Sequence, residues 1–166
     1  MVDYSTLSIV LTGLGIMGAI IYYTLNLRNA TTARQAQVYA QIWDKFSSPE
    51  FFERFWETID REWTDYDDYM EKYGSLRYSN QSQYARSVSV GTYYEGIGVL
   101  LKNGFIDAQP VADLLGTTIT SWWEKTATFI YEYRVKNREP RGYIYAEYLY
   151  NQIKPIIERE HPELRT

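Results

Sequence analysis

The chain has 166 residues, 21 acidic against 17 basic side chains, one histidine and no cysteine. Disulfides, thiolate zinc sites and cysteine nucleophiles are therefore excluded, and so are His-based triads and multi-His metal sites within one chain. A net charge of −4 argues against a nucleic-acid binder, whose affinity comes from Lys and Arg neutralising phosphates.

With 23% charged and 45% hydrophobic residues, the chain is neither disordered nor a multi-span membrane protein. Its 17 Tyr, 6 Phe and 5 Trp are the unusual feature. They fit an aromatic-rich core, or surface buried against partners, where Tyr and Trp are enriched.

The first element is apolar. No charged residue occurs from Tyr4 to Leu27. At about 1.5 Å per residue, roughly 20 residues cross the ~30 Å hydrocarbon layer, so this stretch predicts a transmembrane helix. Tyr4 at one end and Tyr22 and Tyr23 near the other suit the headgroup region. The same stretch holds Gly13-x-Gly15-x-x-Gly18, and the string GLGIMG resembles the start of enzymes of the 3-hydroxyisobutyrate dehydrogenase type. A dinucleotide site needs a second strand ending in an acid about 20 residues on. Here the following segment, TTARQAQVYAQIWDKF, is rich in Ala and Gln and reads as helix. No strand–helix alternation follows, so the glycines belong to the span. No basic n-region precedes it, against a cleaved signal peptide. Arg28 and Arg34 follow the span while only Asp3 and the terminal amine precede it, so the positive-inside bias predicts a cytoplasmic C-terminal side.

One face of the span is small or polar. Ser8, Thr12, Gly15, Ala19, Tyr22 and Asn26 recur at spacings of 4, 3, 4, 3 and 4. At ~100° per residue they fall in an arc of about 80°. Small residues let helix backbones approach in lipid, where packing drives association, so this stripe is the expected helix-packing face.

Helices with short breaks are expected beyond the span. Residues 30–46 continue it or restart after Asn29. Ser48-Pro49 marks a helix start, a capping hydroxyl before Pro at the first helical position. The helix from Glu50 to Trp63 is expected to bury Phe52, Phe55, Trp56, Ile59 and Trp63. A short helix within residues 65–74 closes at Gly74. A long helix from Asn80 to Lys102 carries Tyr84, Val88, Ile97 and Leu101 at core-like spacing and stops at Asn103-Gly104. Asp107 caps a short helix to Leu115. Gly116 interrupts, and residues 117–137 form another helix with Trp122, Trp123, Phe129, Ile130 and Tyr133. After the loop 138–142, a last helix carries Tyr145, Tyr148, Leu149, Ile153 and Ile156, kinked or shortened by Pro155. The expected fold class is all-α: an N-terminal transmembrane anchor, residues 1–29, and a cytosolic bundle of about five or six helices, residues 30–166.

The runs YYEGIGVLLKNGFID, LLG and SWWEKTATFIYEYR, with a basic Pro-containing loop and an aromatic final helix, resemble an uncharacterised family of small bacterial and archaeal proteins. The resemblance covers residues 32–157, most strongly 93–134. It implies one N-terminal span and a cytosolic helical domain, and it carries no catalytic residues.

Few residues bear chemistry. Glu95 lies within an apolar helix and must be exposed, paired or protonated; pairing with Arg134 or Arg86 is expected. Gly96 and Gly98 are expected to allow close helix packing. Trp122-Trp123-Glu124 reads as core plus rim. The acids Asp60, Glu62, Asp65, Asp67, Asp68 and Glu71 lack EF-hand spacing and read as a solvated face. Arg134, Lys136, Arg138 and Arg141 form the best electrostatic feature, a candidate contact for anionic lipid or an acidic partner.

No catalytic, cofactor or metal site is expected. The sequence favours a non-catalytic accessory or structural subunit of a larger membrane complex. Its expected partners are the bilayer and either other membrane subunits or further copies of itself, with no nucleic acid. The alternative is a membrane-tethered signalling or adaptor module recruiting a cytosolic partner.

Overall fold

A computed structural model describes residues 3–74 and 81–164. Among the described residues there are six α-helices and no strand. They are α1 (Tyr4–Phe46), α2 (Pro49–Ile59), α3 (Tyr66–Tyr69), α4 (Gln81–Lys102), α5 (Ala108–Lys136) and α6 (Ile144–Glu160). A π-helical turn, Met70–Gly74, follows α3, and a 3-10 turn, Pro162–Leu164, follows α6. The expected helix start at Asn80 and the side chain of Tyr84 lie outside the described residues.

The chain divides into two compact units, Met1–Val38 and Tyr39–Thr166. The anchor boundary expected at Asn29 marks the end of the apolar stretch, a different property. In the first unit, α1 is long and apolar enough to cross a membrane, and none of its most apolar window is buried. The helix does not restart at Asn29.

In the second unit α6 packs on both α4 and α5, and α2 packs on both as well. The core is Val90, Tyr94, Ile97 and Leu101 of α4, Leu115, Ile119, Trp122 and Ile130 of α5, and Ala146, Leu149 and Ile153 of α6. Each large side chain removed from water contributes about 1.5–3 kcal/mol. Two polar ties join the C-terminal turns of α1 to this core. Tyr93 donates its hydroxyl to the Ile42 carbonyl at 2.6 Å, and the Asp107 N–H donates to the Tyr39 hydroxyl at 2.7 Å.

Local stop and start signals behave as expected. The Ser48 hydroxyl accepts the Phe51 N–H at 3.2 Å, with Pro49 opening α2. α4 closes on Gly104 at φ 71°, where the Phe105 N–H returns to the Leu100 carbonyl and the Gly104 N–H to the Leu101 carbonyl.

Four expectations need correction. α2 ends at Ile59 and buries Phe51, Phe55 and Thr58, leaving Phe52 and Trp56 exposed. The aromatic-rich helix offers two competing stripes, and the one beside Tyr93 and Tyr94 of α4 is buried. Gly116 does not break a helix but lies inside α5, where a Cβ would stand 2.4 Å from Cδ1 of Ile157. Its lack of a side chain serves the approach of α6. Asp107 precedes α5 in extended geometry but makes no side-chain cap. Pro155 does not shorten α6, which runs on to Glu160.

Candidate functional site

The first candidate surface is the small-residue face of α1. Ser8, Thr12, Gly15, Ala19, Tyr22 and Asn26 are all exposed, and a Cβ at Gly15 would meet nothing within 4 Å. Their common face follows from an unbroken helix. The hydroxyl of Thr12 donates to the Ser8 carbonyl at 2.8 Å, and that of Thr24 to the Ile20 carbonyl at 2.8 Å. These internal bonds remove the cost of an unpartnered hydroxyl in an apolar medium. Ile9, Ile16, Ile20 and Leu27, outside the stripe, are more than half exposed too.

The second candidate, the basic stretch, is not one surface. Arg134 donates from Nε to the Gly142 carbonyl at 2.7 Å and from Nη1 to Glu147 at 2.6 Å, with its side chain only 14% exposed. It holds the α5–α6 loop closed. Lys136 pairs with Asp67 at 2.7 Å and lies over the Tyr66 ring. The bond to Asp67 holds its ammonium above the usual lysine range. Arg138 and Arg141 are exposed and make no ion pair among the described residues. Arg138 has φ 55°, so it occupies the left-handed position that ends α5, where glycine is favoured.

Glu95 is half-buried, and its partner is not an arginine. Its Oε2 accepts the N–H groups of Tyr145 at 2.9 Å and Ala146 at 2.7 Å, in the first turn of α6. Helix N-termini present orphan donors and partial positive charge. Tyr143, which precedes α6 with φ 56°, makes no side-chain cap, so a carboxylate from α4 supplies it. Gly98 permits this approach, since a Cβ there would stand 2.0 Å from the Tyr145 carbonyl oxygen. Gly96, also expected at a close contact, has nothing within 4 Å. The expected arginines are engaged elsewhere: Arg86 lies 3.6 Å from Glu53 and 3.5 Å from Glu57.

The six acidic residues from Asp60 to Glu71 are exposed except for half-buried Asp68, and three of them make side-chain contacts. Asp65 accepts the Asp68 N–H at the start of α3, Asp68 pairs with Lys72 at 2.8 Å, and Asp67 pairs with Lys136. Trp122 and Trp123 are core residues. Trp63, Gly91, Trp122 and Tyr143 line a partly open cleft of about 50 Å³, room for a few waters.

Sequence reasoning missed a third surface. Trp43 near the end of α1 and Phe52 of α2 both pack on the buried ring of Phe46, at 5.7 and 5.1 Å between centroids. Trp56, one turn beyond Phe52, extends the patch, and Trp43 and Trp56 are 46% and 55% exposed. The signal was the second stripe, Phe51, Phe55 and Thr58, which competes with Phe52 and Trp56 for the core.

A family model described as Domain of unknown function (DUF4760) matches residues 6–153. No curated protein and no solved structure matches the chain.

Proposed function

The chain belongs to the DUF4760 family, whose description names no activity, and from that premise we propose that it is a non-catalytic, single-pass membrane protein serving as an accessory or structural subunit of a larger membrane complex. The observation that carries this reading is the first unit. A helix without charge from Tyr4 to Leu27 leaves every described side chain there uncovered or nearly so. In water that apolar surface would cost about 25 cal/mol per Å². A bilayer covers the large residues, and a helix from another subunit or a second copy packs on the Gly15 stripe.

Arg28 and Arg34, which follow the span, support a cytoplasmic C-terminal unit by the positive-inside bias. Within the second unit, Tyr39 and Tyr93 tie the last turns of α1 to the helical core. The acid-rich composition disfavours nucleic acid, and no cofactor enters the proposal.

The test has two steps. Alkaline carbonate washing of native membranes should leave the chain in the pellet; release into the supernatant overturns the membrane reading. Mild-detergent extraction and size separation should then show stoichiometric co-migration with other membrane proteins. Migration alone, or as a simple homo-oligomer, overturns the accessory-subunit role in favour of a tethered adaptor.

A further inference from the structure

We propose that the aromatic patch formed by Trp43, Phe52 and Trp56 docks a basic, amphipathic helical segment of a partner protein. This deepens the reading of the chain as a partner-binding subunit and rests on it, while naming the partner's chemistry.

The patch is contiguous. Phe46, only 5% exposed, forms its floor, with Trp43 and Phe52 on either side. Phe52 and Trp56 are four residues apart and so share a face of α2. Trp56 is braced edge-on by the buried Phe55 ring, at 5.3 Å between centroids. Its ring is therefore ordered yet open, the condition in which tryptophan serves as a binding anchor. Two open tryptophans and a phenylalanine beside a well-packed core offer more apolar surface than scattered exposure explains.

The rim decides the occupant. Asp60, which follows the last turn of α2, and Asp44 of α1 are exposed and make no ion pair among the described residues. Glu53 is 66% exposed and only 3.6 Å from Arg86, a cation it shares with Glu57. At ~100° per residue, Glu53 and Asp60 lie on the flank of α2 adjoining Trp56. An acidic rim repels an anionic lipid surface and another acidic domain. It attracts a helix whose apolar anchors, spaced by three and four residues, are flanked by Lys or Arg.

The test uses the full chain in zwitterionic phosphatidylcholine nanodiscs, with empty nanodiscs as the blank. The probes are two synthetic helical peptides with identical Leu anchors, one flanked by lysines and the other by glutamates. The lysine peptide should bind about tenfold more tightly, and the preference should shrink as NaCl rises from about 50 to 500 mM. Trp56→Ala should weaken its binding by about tenfold. Should Trp56→Ala lower the melting temperature, Asp44→Lys is the second variant. It places a cation at a helix C-terminus and should lower the peptide preference about threefold without unfolding. Equal binding of the two peptides, or wild-type binding by both variants, overturns the proposal. So does an oligomer of the chain itself that Trp56→Ala dissociates, since the patch would then hold a second copy. None of these outcomes changes the carbonate-wash result, so failure here is distinct from failure of the membrane reading.

Discussion

The carboxylate of Glu95 on α4 caps the first turn of α6 by accepting the Ala146 N–H at 2.7 Å. One acidic residue thereby sets the height of α6 along α4, in a place where Tyr143 offers no cap. Glu95→Ala should strand two N–H groups and destabilise the fold by about 2–3 kcal/mol, read as a lower urea midpoint. Glu95→Gln keeps an acceptor and should recover part of the loss. Equal stability of wild type and Glu95→Ala would show that α6 needs no cap from α4.

Two glycines on one helix should respond in opposite directions. Gly98→Ala drives a methyl to 2.0 Å from the Tyr145 carbonyl oxygen, so it should cost about 1–3 kcal/mol and loosen the Glu95 cap. Gly96→Ala enters open space on an exposed turn and should stabilise by about 0.5–1 kcal/mol. Thermal melts of the pair suffice, and the same sign for both would contradict the helix approach described.

Arg138 ends α5 in a conformation that suits glycine. The Glu139 N–H returns to the Arg134 carbonyl and the Arg138 N–H to the Val135 carbonyl, as at the end of α4. Arg138→Gly should therefore stabilise by about 0.5–1 kcal/mol. A melting temperature below wild type would show that the guanidinium makes a compensating contact.

Burial pushes the Tyr93 and Tyr94 hydroxyls above the ordinary value of 10.0. A folded-state pKa raised above the unfolded one gives stability that is full below about pH 10 and lost as pH rises beyond it. Absorbance titration should show two tyrosines that ionise only as the helices melt. Ionisation of all 17 in one step without unfolding would exclude this.

Gly15→Leu should weaken helix association in mild detergent, while Ile20→Leu, outside the stripe, should leave it unchanged. Size separation of the two variants reads the difference directly. Unchanged assembly of Gly15→Leu would remove the stripe from the packing face.

The sequence by itself determined the elements whose signals are local. The uncharged stretch from Tyr4 to Leu27, the Ser48-Pro49 start and the Asn103-Gly104 stop each act within a turn or two of chain. The all-α class, a single apolar N-terminal helix and family membership were legible from them and from the aromatic motifs. Tertiary structure decided what depends on a neighbour distant in sequence. α2 could bury Phe52 and Trp56 or Phe51 and Phe55, and the rings of Tyr93 and Tyr94 selected the second stripe. Gly116 reads as a helix breaker by propensity of about 1 kcal/mol, yet close packing on Ile157 outweighs so small a term. Glu95 had arginines as plausible partners, and the orphan N–H groups of α6 took it instead. In each case the local preference is worth a kilocalorie or less, and burial or an unpaired donor in the assembled core is worth more.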